Sequence, residues 1–236
     1  MTNQPGFSAE NAAEAYLPLM HELAIRIDLV AQACDGGLGL TPPYARELAY
    51  LQFRRICELI ALGCLYLHGD LPGAQLKATK KEWHAERIMK LLHRAHPHAF
   101  PQSVDRIKTE GGWHIQANSK PEALTYNDFR KLYSECGEVL HRGTVSTVQP
   151  GAFFTEADYV KVTDWQKKIV ALMNEHLIGR AVGNSFYLIS LRTDSGYPEC
   201  STFEICGEGE LSVSTKMMTV SDDVVHSYLA SQRRQK

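Results

Sequence analysis

The sequence lacks most of the features that identify a protein class at once. Its net charge is only −2, which argues against a strongly basic nucleic-acid-binding surface. No Gly-x-Ser-x-Gly, His-Glu-x-x-His or nucleotide-binding fingerprint is present, so the sequence gives no support to the enzyme classes that these motifs define. The six cysteines include no Cys-x-x-Cys pair. Most lie in apolar runs, which suits reduced, buried thiols in a cytoplasmic protein better than a disulfide framework.

Long uninterrupted apolar runs are also missing. The longest one, "LQFRRICELIALGCLYL", carries two arginines, a glutamate and a glutamine, and charged residues are costly inside a bilayer. The first ten residues contain neither a basic segment nor an apolar segment, so nothing there indicates export. We therefore expect a cytoplasmic protein that does not associate with membranes.

What is present is an ordinary globular composition, with 236 residues of which 44% are hydrophobic and 22% charged. A chain of this length can form one large domain, or a main domain with a small appendage. Apolar spacing and capping residues predict five main helices. They span roughly residues 8–34, 43–68, 75–95, 125–141 and 155–177. Ser8, Thr41 and the pair Thr125 and Asp128 are predicted N-terminal caps, and Gly143 is the predicted C-terminal cap of the fourth helix.

Two segments instead have the composition of β-hairpins. Residues 104–117 contain a Gly111-Gly112 turn, and residues 185–191 and 201–206 flank the turn "DSGYP". The sequence therefore predicts a mainly α protein. We expect a helical bundle over residues 1–180 and a small antiparallel β appendage with a C-terminal tail over residues 181–236, outside the helical core.

The helix that contains "LYSECGEVLHRG" carries one candidate site. Arg130, Ser134, Gly137 and His141 share its flank, so His141 lies at the border of the apolar face. A glycine within a helix costs roughly 1 kcal/mol relative to alanine, and Gly137 would leave room for an approaching group. The alternative is tight helix packing, with His141 placed at the helix C-terminus by the helix dipole.

The second helix carries charges among apolar residues. Arg55 projects at the same angle as Leu48 and Leu51, and Glu58 follows one turn later. Because an isolated buried charge is very unfavourable, such charges must be paired or must reach water at a cavity. We therefore predict that Arg55 and Glu58 are both largely buried and hydrogen-bonded, and that His141 lines a cavity that they share.

Taken together, "FRRICELI" and "LYSECGEVLHRG" resemble a pattern in uncharacterised bacterial proteins related to HEPN-type helical bundles. Those proteins carry an Arg-x3-Glu helix and a later "LY…S…H" helix, and the resemblance covers residues 41–145. It implies a HEPN-like bundle with a metal-independent endoribonuclease site that needs no cofactor. Matched onto this chain, the resemblance implicates Arg54 or Arg55, Glu58, Tyr133, Ser134 and His141. With Arg130 from the flank of the later helix, we predict His141, Arg55 and Glu58 as catalytic residues and Arg54, Arg130, Tyr133 and Ser134 as substrate-binding residues.

In that chemistry a histidine acts as general acid or base while an arginine stabilises charge on the phosphate. The family's Arg-x4-6-His motif, however, does not end at His141, because no arginine stands five to seven residues before it. Arg87 and His93 have the spacing, but ten histidines in the chain make a chance match expected. A metal on His93, His96 and His98 is also conceivable, although a polar surface loop is favoured.

Two functions of different classes follow. The first is an RNA-cleaving or RNA-binding protein of a bacterial stress or phage-defence system. The second is a non-catalytic helical module in which the Arg–Glu–His cluster is structural and an outer face binds a protein partner or a second copy of the chain. Trp83 and Trp113 could stack on bases, but a buried anchoring role is the commoner one for tryptophan.

Overall fold

A computed structural model describes residues 8–71, 79–110, 112–141, 156–180, 185–205 and 211–217. In these ranges it contains five α-helices, six β-strands and a short 3₁₀ turn at Thr79–Lys81. The helices are α1 (Ala9–Cys34), α2 (Pro42–Leu67), α3 (Ala85–Ala95), α4 (Tyr126–Leu140) and α5 (Glu156–Met173). The strands are β1 (Gln102–Thr109), β2 (Gly112–Ala117), β3 (Glu175–Gly179), β4 (Ser185–Ser190), β5 (Glu199–Ile205) and β6 (Leu211–Met217).

Three of the helix N-termini lie where the sequence predicts them. The Ser8 side chain accepts from the backbone N–H of Asn11 at the start of α1. Thr125 and Asp128 form a reciprocal capping box at the start of α4. Thr41 occupies the N-cap position of α2, but its side chain makes no capping bond, and prolines follow it in the first turn. Gly143, the predicted glycine cap after α4, lies outside the described residues.

Two helices are shorter than predicted. Helix α3 begins at Ala85 rather than near residue 75, because residues 82–84 turn around the Glu82 carboxylate, which accepts from the backbone N–H groups of Trp83 and His84. Helix α5 ends at Met173, and the next residues pair as β3 with β4. The segment with helical spacing therefore contains a strand that the sequence analysis missed. None of the described helices is long and apolar enough to cross a membrane.

The strands form one antiparallel sheet in the order β2-β1-β3-β4-β5-β6. Both predicted hairpins are confirmed, with Ile107 opposite His114 in the first and Leu188 opposite Ser201 in the second. Strand β3 joins the two hairpins into a continuous sheet. The fold is therefore mixed α+β, and the prediction of a mainly α protein is wrong.

Helices and sheet share one hydrophobic core. Tyr187, Ile189 and Cys200 from β4 and β5 are buried in the same cluster as Tyr16 of α1 and Ile60 of α2. The expectation that the second hairpin lies outside the helical core is therefore wrong, because its apolar face covers the helices. The proposed domain boundary at residue 180 stays a prediction.

A buried hydrogen bond joins the helices to the sheet. Tyr16 Oη lies 2.7 Å from Nε2 of His176 on β3, and His176 Nδ1 lies 3.0 Å from the carbonyl oxygen of Met173. Since a carbonyl only accepts, Nδ1 carries the proton and Nε2 accepts from the Tyr16 hydroxyl. Burial lowers the pKa of His176 to about 4, so the ring is neutral near pH 7.

A glycine on α2 makes this arrangement possible. A Cβ atom added at Gly63 would lie 2.4 Å from Cε2 of Tyr16, far inside van der Waals contact. Only a residue without a side chain therefore lets the Tyr16 ring pack against α2 and direct its hydroxyl to His176.

Candidate functional site

An open groove of about 420 Å³ runs along the outer side of α2. Five of its residues come from α2, among them the predicted site residues Arg54, Arg55 and Glu58, and two come from the turn before α3. The lining residues are Leu51, Arg54, Arg55, Glu58, Leu62, Glu82 and Trp83. This set is called the α2 groove below.

Two arginines neutralise one glutamate in the α2 groove. Arg54 Nε donates to Glu58 Oε1 at 3.3 Å, and Arg55 Nη1 donates to Glu58 Oε2 at 2.8 Å. The predicted hydrogen bond between Arg55 and Glu58 is therefore confirmed. Both carboxylate oxygens have a cationic partner, so the charge of Glu58 is compensated without a ligand, while the two arginines leave the network with one positive charge in excess.

The predicted burial of Arg55 is wrong. The Glu58 side chain is 14% exposed, but that of Arg55 is 57% exposed. Leu51, at the same angle of α2, is not a core residue either, since it is 41% exposed. A helix that is apolar nearly all round was expected to be buried all round. Here one apolar face is left facing water.

Tyr133 links the groove to α4. The Arg54 guanidinium carbon lies 5.2 Å from the centre of the Tyr133 ring, within the range of a cation–π contact. The ring of His84 approaches the same tyrosine edge-on at 5.1 Å. Tyr133 is only 4% exposed, and burial raises the pKa of its hydroxyl. The structure thus places Tyr133 behind the arginine, where it positions Arg54.

His141 does not lie in this groove. Helix α4 ends at Leu140, and His141 follows as an extended residue with φ −88° and ψ 136°. Its side chain is exposed, and its backbone N–H donates to the carbonyl of Gly137. Across the described part of the chain, it makes no hydrogen bond or ion pair with Arg54, Arg55 or Glu58. The predicted shared cavity is therefore not observed.

The other residues of the α4 flank are also at the surface. Arg130 forms an exposed ion pair with Glu86 of α3, with 3.1 Å between Nε and Oε1, and Ser134 is exposed. A Cβ atom added at Gly137 would have no heavy-atom neighbour within 4 Å. Gly137 therefore faces open space, and tight packing does not explain it.

The tryptophan of the groove, Trp83, is exposed rather than buried. It is 67% exposed, so the buried anchoring role is wrong. Its position is fixed nonetheless, because the Glu82 carboxylate holds the backbone on either side of it. The surrounding sequence "KKEWHAE" is strongly polar. This polar surrounding is the signal from which the exposure of Trp83 could have been predicted.

The histidine-rich loop does not form a metal site in the structure. His96 Nε2 donates to the carbonyl of Gly179 at 3.0 Å, and Gln102 donates to Nδ1 of His98 at 3.2 Å. His93 stacks on Tyr126 with 4.3 Å between ring centres. No group of three potential metal ligands comes together within the residues described, and these three histidines join the loop to its neighbours.

A second polar cluster lies behind this loop. His68 is fully buried, and burial lowers its pKa to about 4. Asp70 accepts from Arg180 at 3.1 Å. Among the residues that the structure describes, the buried Tyr187 hydroxyl has no hydrogen-bond partner. This cluster contributes no residue to the α2 groove.

The chain was compared with protein-family models, curated proteins and solved structures. No protein-family model, no curated protein and no solved structure matches it significantly.

Proposed function

We propose that this chain is a non-catalytic protein-interaction module that binds a partner helix in the α2 groove. The observation that carries this proposal is the combination of exposed apolar side chains with charges that are already paired. Leu51 and Trp83 are 41% and 67% exposed, while Arg54 and Arg55 both contact Glu58. Tryptophan and arginine are the residues most enriched among the energetically dominant contacts of protein interfaces.

The groove also defines the chemistry of its partner. A helix laid along α2 would meet leucines at the spacing of successive helical turns and, between them, one cation and one anion. The complementary helix therefore carries leucines on one face and a glutamate and an arginine near their centre. Pairing across such an interface fixes the register more than it adds affinity.

RNA binding is the competing function. Two arginines and an exposed tryptophan could in principle hold a phosphate and stack on a base. Against this, both arginines already contact Glu58, and the Glu82 carboxylate in the same groove would repel phosphates. His141, the expected general acid or base, lies elsewhere. The groove as built favours a protein ligand, and the ribonuclease hypothesis stays a prediction.

Photo-cross-linking separates the two functions. A photoreactive phenylalanine analogue would replace Trp83 in one variant and Val160 of α5 in another, since Val160 is also exposed at 56%. In the cells of origin we expect protein adducts from position 83 and few from position 160. RNA adducts from position 83, or RNA cleavage that His141→Ala abolishes, would overturn the proposal.

A further inference from the structure

We infer that the helix bound in the α2 groove is α2 of a second copy of this chain, packed antiparallel across a two-fold axis. This inference rests on the proposed protein-binding function of the groove. It names the partner and fixes the register of the contact, residue by residue.

The outer face of α2 has the spacing of a coiled-coil seam. Its residues alternate by four and three positions, which keeps them on one side of a helix that packs against another. The seam consists of Tyr44, Leu48, Leu51, Arg55, Glu58, Leu62 and Leu65. Tyr44 is 63% exposed and Leu51 41%, while Leu48, Leu62 and Leu65 are half-buried. A seam of this kind is unusual on a helix without a partner.

The leucines of the seam are placed symmetrically about its midpoint. Leu51 and Leu62 are equally far from the midpoint between Ile56 and Cys57, and so are Leu48 and Leu65. A two-fold axis through that midpoint places each leucine opposite its counterpart in the second copy, as an isologous interface requires.

The charges at the centre select the antiparallel direction. The same axis places Arg55 opposite Glu58 of the second copy, and this pair occurs twice in the dimer. Parallel helices would instead place Arg55 against Arg55 and Glu58 against Glu58, which is repulsive. The Arg55–Glu58 pairs between the leucines therefore determine both the register and the relative direction of the two α2 helices.

The structure shows how the pair could exchange partners. Glu58 keeps its contact with Arg54, whose side chain is 26% exposed. Arg55 is 57% exposed, so its guanidinium can turn from its own glutamate to that of the second copy. The seam from Leu48 to Leu65 is about 26 Å long at 1.5 Å per residue. Trp83 extends the contact along one edge of the groove.

Charge reversal with mixing tests this arrangement. Sedimentation of the full chain should give twice the monomer mass of 26.4 kDa. Arg55→Glu and Glu58→Arg, each alone, place like charges opposite each other and should weaken dimerisation more than about tenfold. Mixed in equal amounts they should form a heterodimer, because each reversed residue then meets its opposite.

Two further variants serve as controls. Arg192→Glu reverses an arginine of similar exposure, 48%, that is paired with Asp28 away from the seam, and should leave the dimer intact. Leu51→Lys should abolish dimerisation without touching the ion pairs. It therefore tests the seam even if a charge-reversed chain does not fold.

The results separate this inference from the proposed function. A wild-type chain that stays monomeric at all accessible concentrations, or charge variants that do not pair on mixing, would overturn the inference. In that case cross-linking from position 83 to a different protein would leave the proposed function standing. Cross-linking to RNA would overturn both.

Discussion

Two polar networks of this protein use similar bonds in very different surroundings. One is the Arg54–Arg55–Glu58 network on the outer face of α2, where Arg55 is 57% exposed. The other is the Tyr16–His176 pair between α1 and the sheet, where both residues are fully buried. Water can replace the partners of the first network at little cost. It cannot reach the second, so an unpaired group there would lose its hydrogen bond outright.

The comparison separates what holds the fold from what is available for binding. We expect changes at the Tyr16–His176 pair to alter the free energy of unfolding. Changes at the α2 groove should alter association and leave the folded monomer intact.

Acid should destabilise the buried network first. The pKa values of His68 and His176 are lowered to about 4 in the folded chain, whereas an unfolded histidine titrates near 6.5. The unfolded state therefore binds more protons between pH 6.5 and 4, and stability falls as the pH falls through this window. Each histidine should contribute a loss of about 3 kcal/mol at pH 4. Urea unfolding at several pH values measures it.

His68→Phe provides the control for this pH dependence. Since His68 is fully buried and its ring packs against that of His96, a phenyl ring of similar shape should be tolerated, and about half of the slope should disappear. A slope unchanged in this variant would show that His68 is not a source of the acid sensitivity.

Replacing each of the two helical glycines by alanine should change the free energy of unfolding in opposite directions. Gly63→Ala places a Cβ atom against the Tyr16 ring, and we expect a loss of about 1–3 kcal/mol in unfolding free energy. Gly137→Ala meets open space and should stabilise α4 by up to about 1 kcal/mol. Thermal and urea unfolding of both variants give the comparison. Equal effects at the two positions would contradict the packing described for Tyr16.

Two buried tyrosines provide a matched pair. Tyr16→Phe leaves His176 Nε2 without its donor, which should cost about 1–3 kcal/mol. Tyr187 is as buried, but its hydroxyl has no hydrogen-bond partner, so Tyr187→Phe should be neutral or slightly stabilising. The difference in unfolding free energy between the two variants is the quantity to measure. If Tyr187→Phe were the more damaging change, the assignment of the buried hydrogen bond would be wrong.

The exposed network should give the smallest change in stability. Arg55→Ala removes one ion pair from a residue that is 57% exposed, and exposed pairs contribute at most about 1 kcal/mol. The expected loss in unfolding free energy is therefore smaller than the one that a buried Arg55 would imply. Unfolding should be measured at a concentration where the wild type is monomeric, because dimerisation itself adds apparent stability. A loss above about 3 kcal/mol would place Arg55 in the folding core after all.

The sequence was most informative where structure is local. The capping box of Thr125 and Asp128 and the turns of both hairpins depend on residues a few positions apart, and the structure confirms them. Strand β3 was missed because Glu175–Gly179 continues the spacing of α5 after a single intervening residue, Asn174. Only its pairing with β1 and β4 makes it a strand, and such pairing is not a local property.

The part of the candidate site that was predicted correctly is also the part that depends on neighbouring residues of the sequence. Arg54, Arg55 and Glu58 meet because residues three and four positions apart on a helix are neighbours. The position of His141 was extrapolated along a helix that ends one residue earlier, so its direction could not be obtained from helical angles. The exposure of Arg55 depends on which sides of α2 the other helices cover. Spacing alone does not contain that information.

Cysteine cross-linking measures the antiparallel pairing of α2 most directly. Leu51→Cys and Leu62→Cys would be oxidised separately and as an equal mixture, with the wild type as control for the native thiols. The account predicts that the mixture forms a disulfide-linked dimer and that neither variant alone does, because residue 51 of one copy faces residue 62 of the other. Efficient disulfide formation between two Leu51→Cys chains, or no disulfide-linked dimer in the mixture, would contradict the antiparallel pairing.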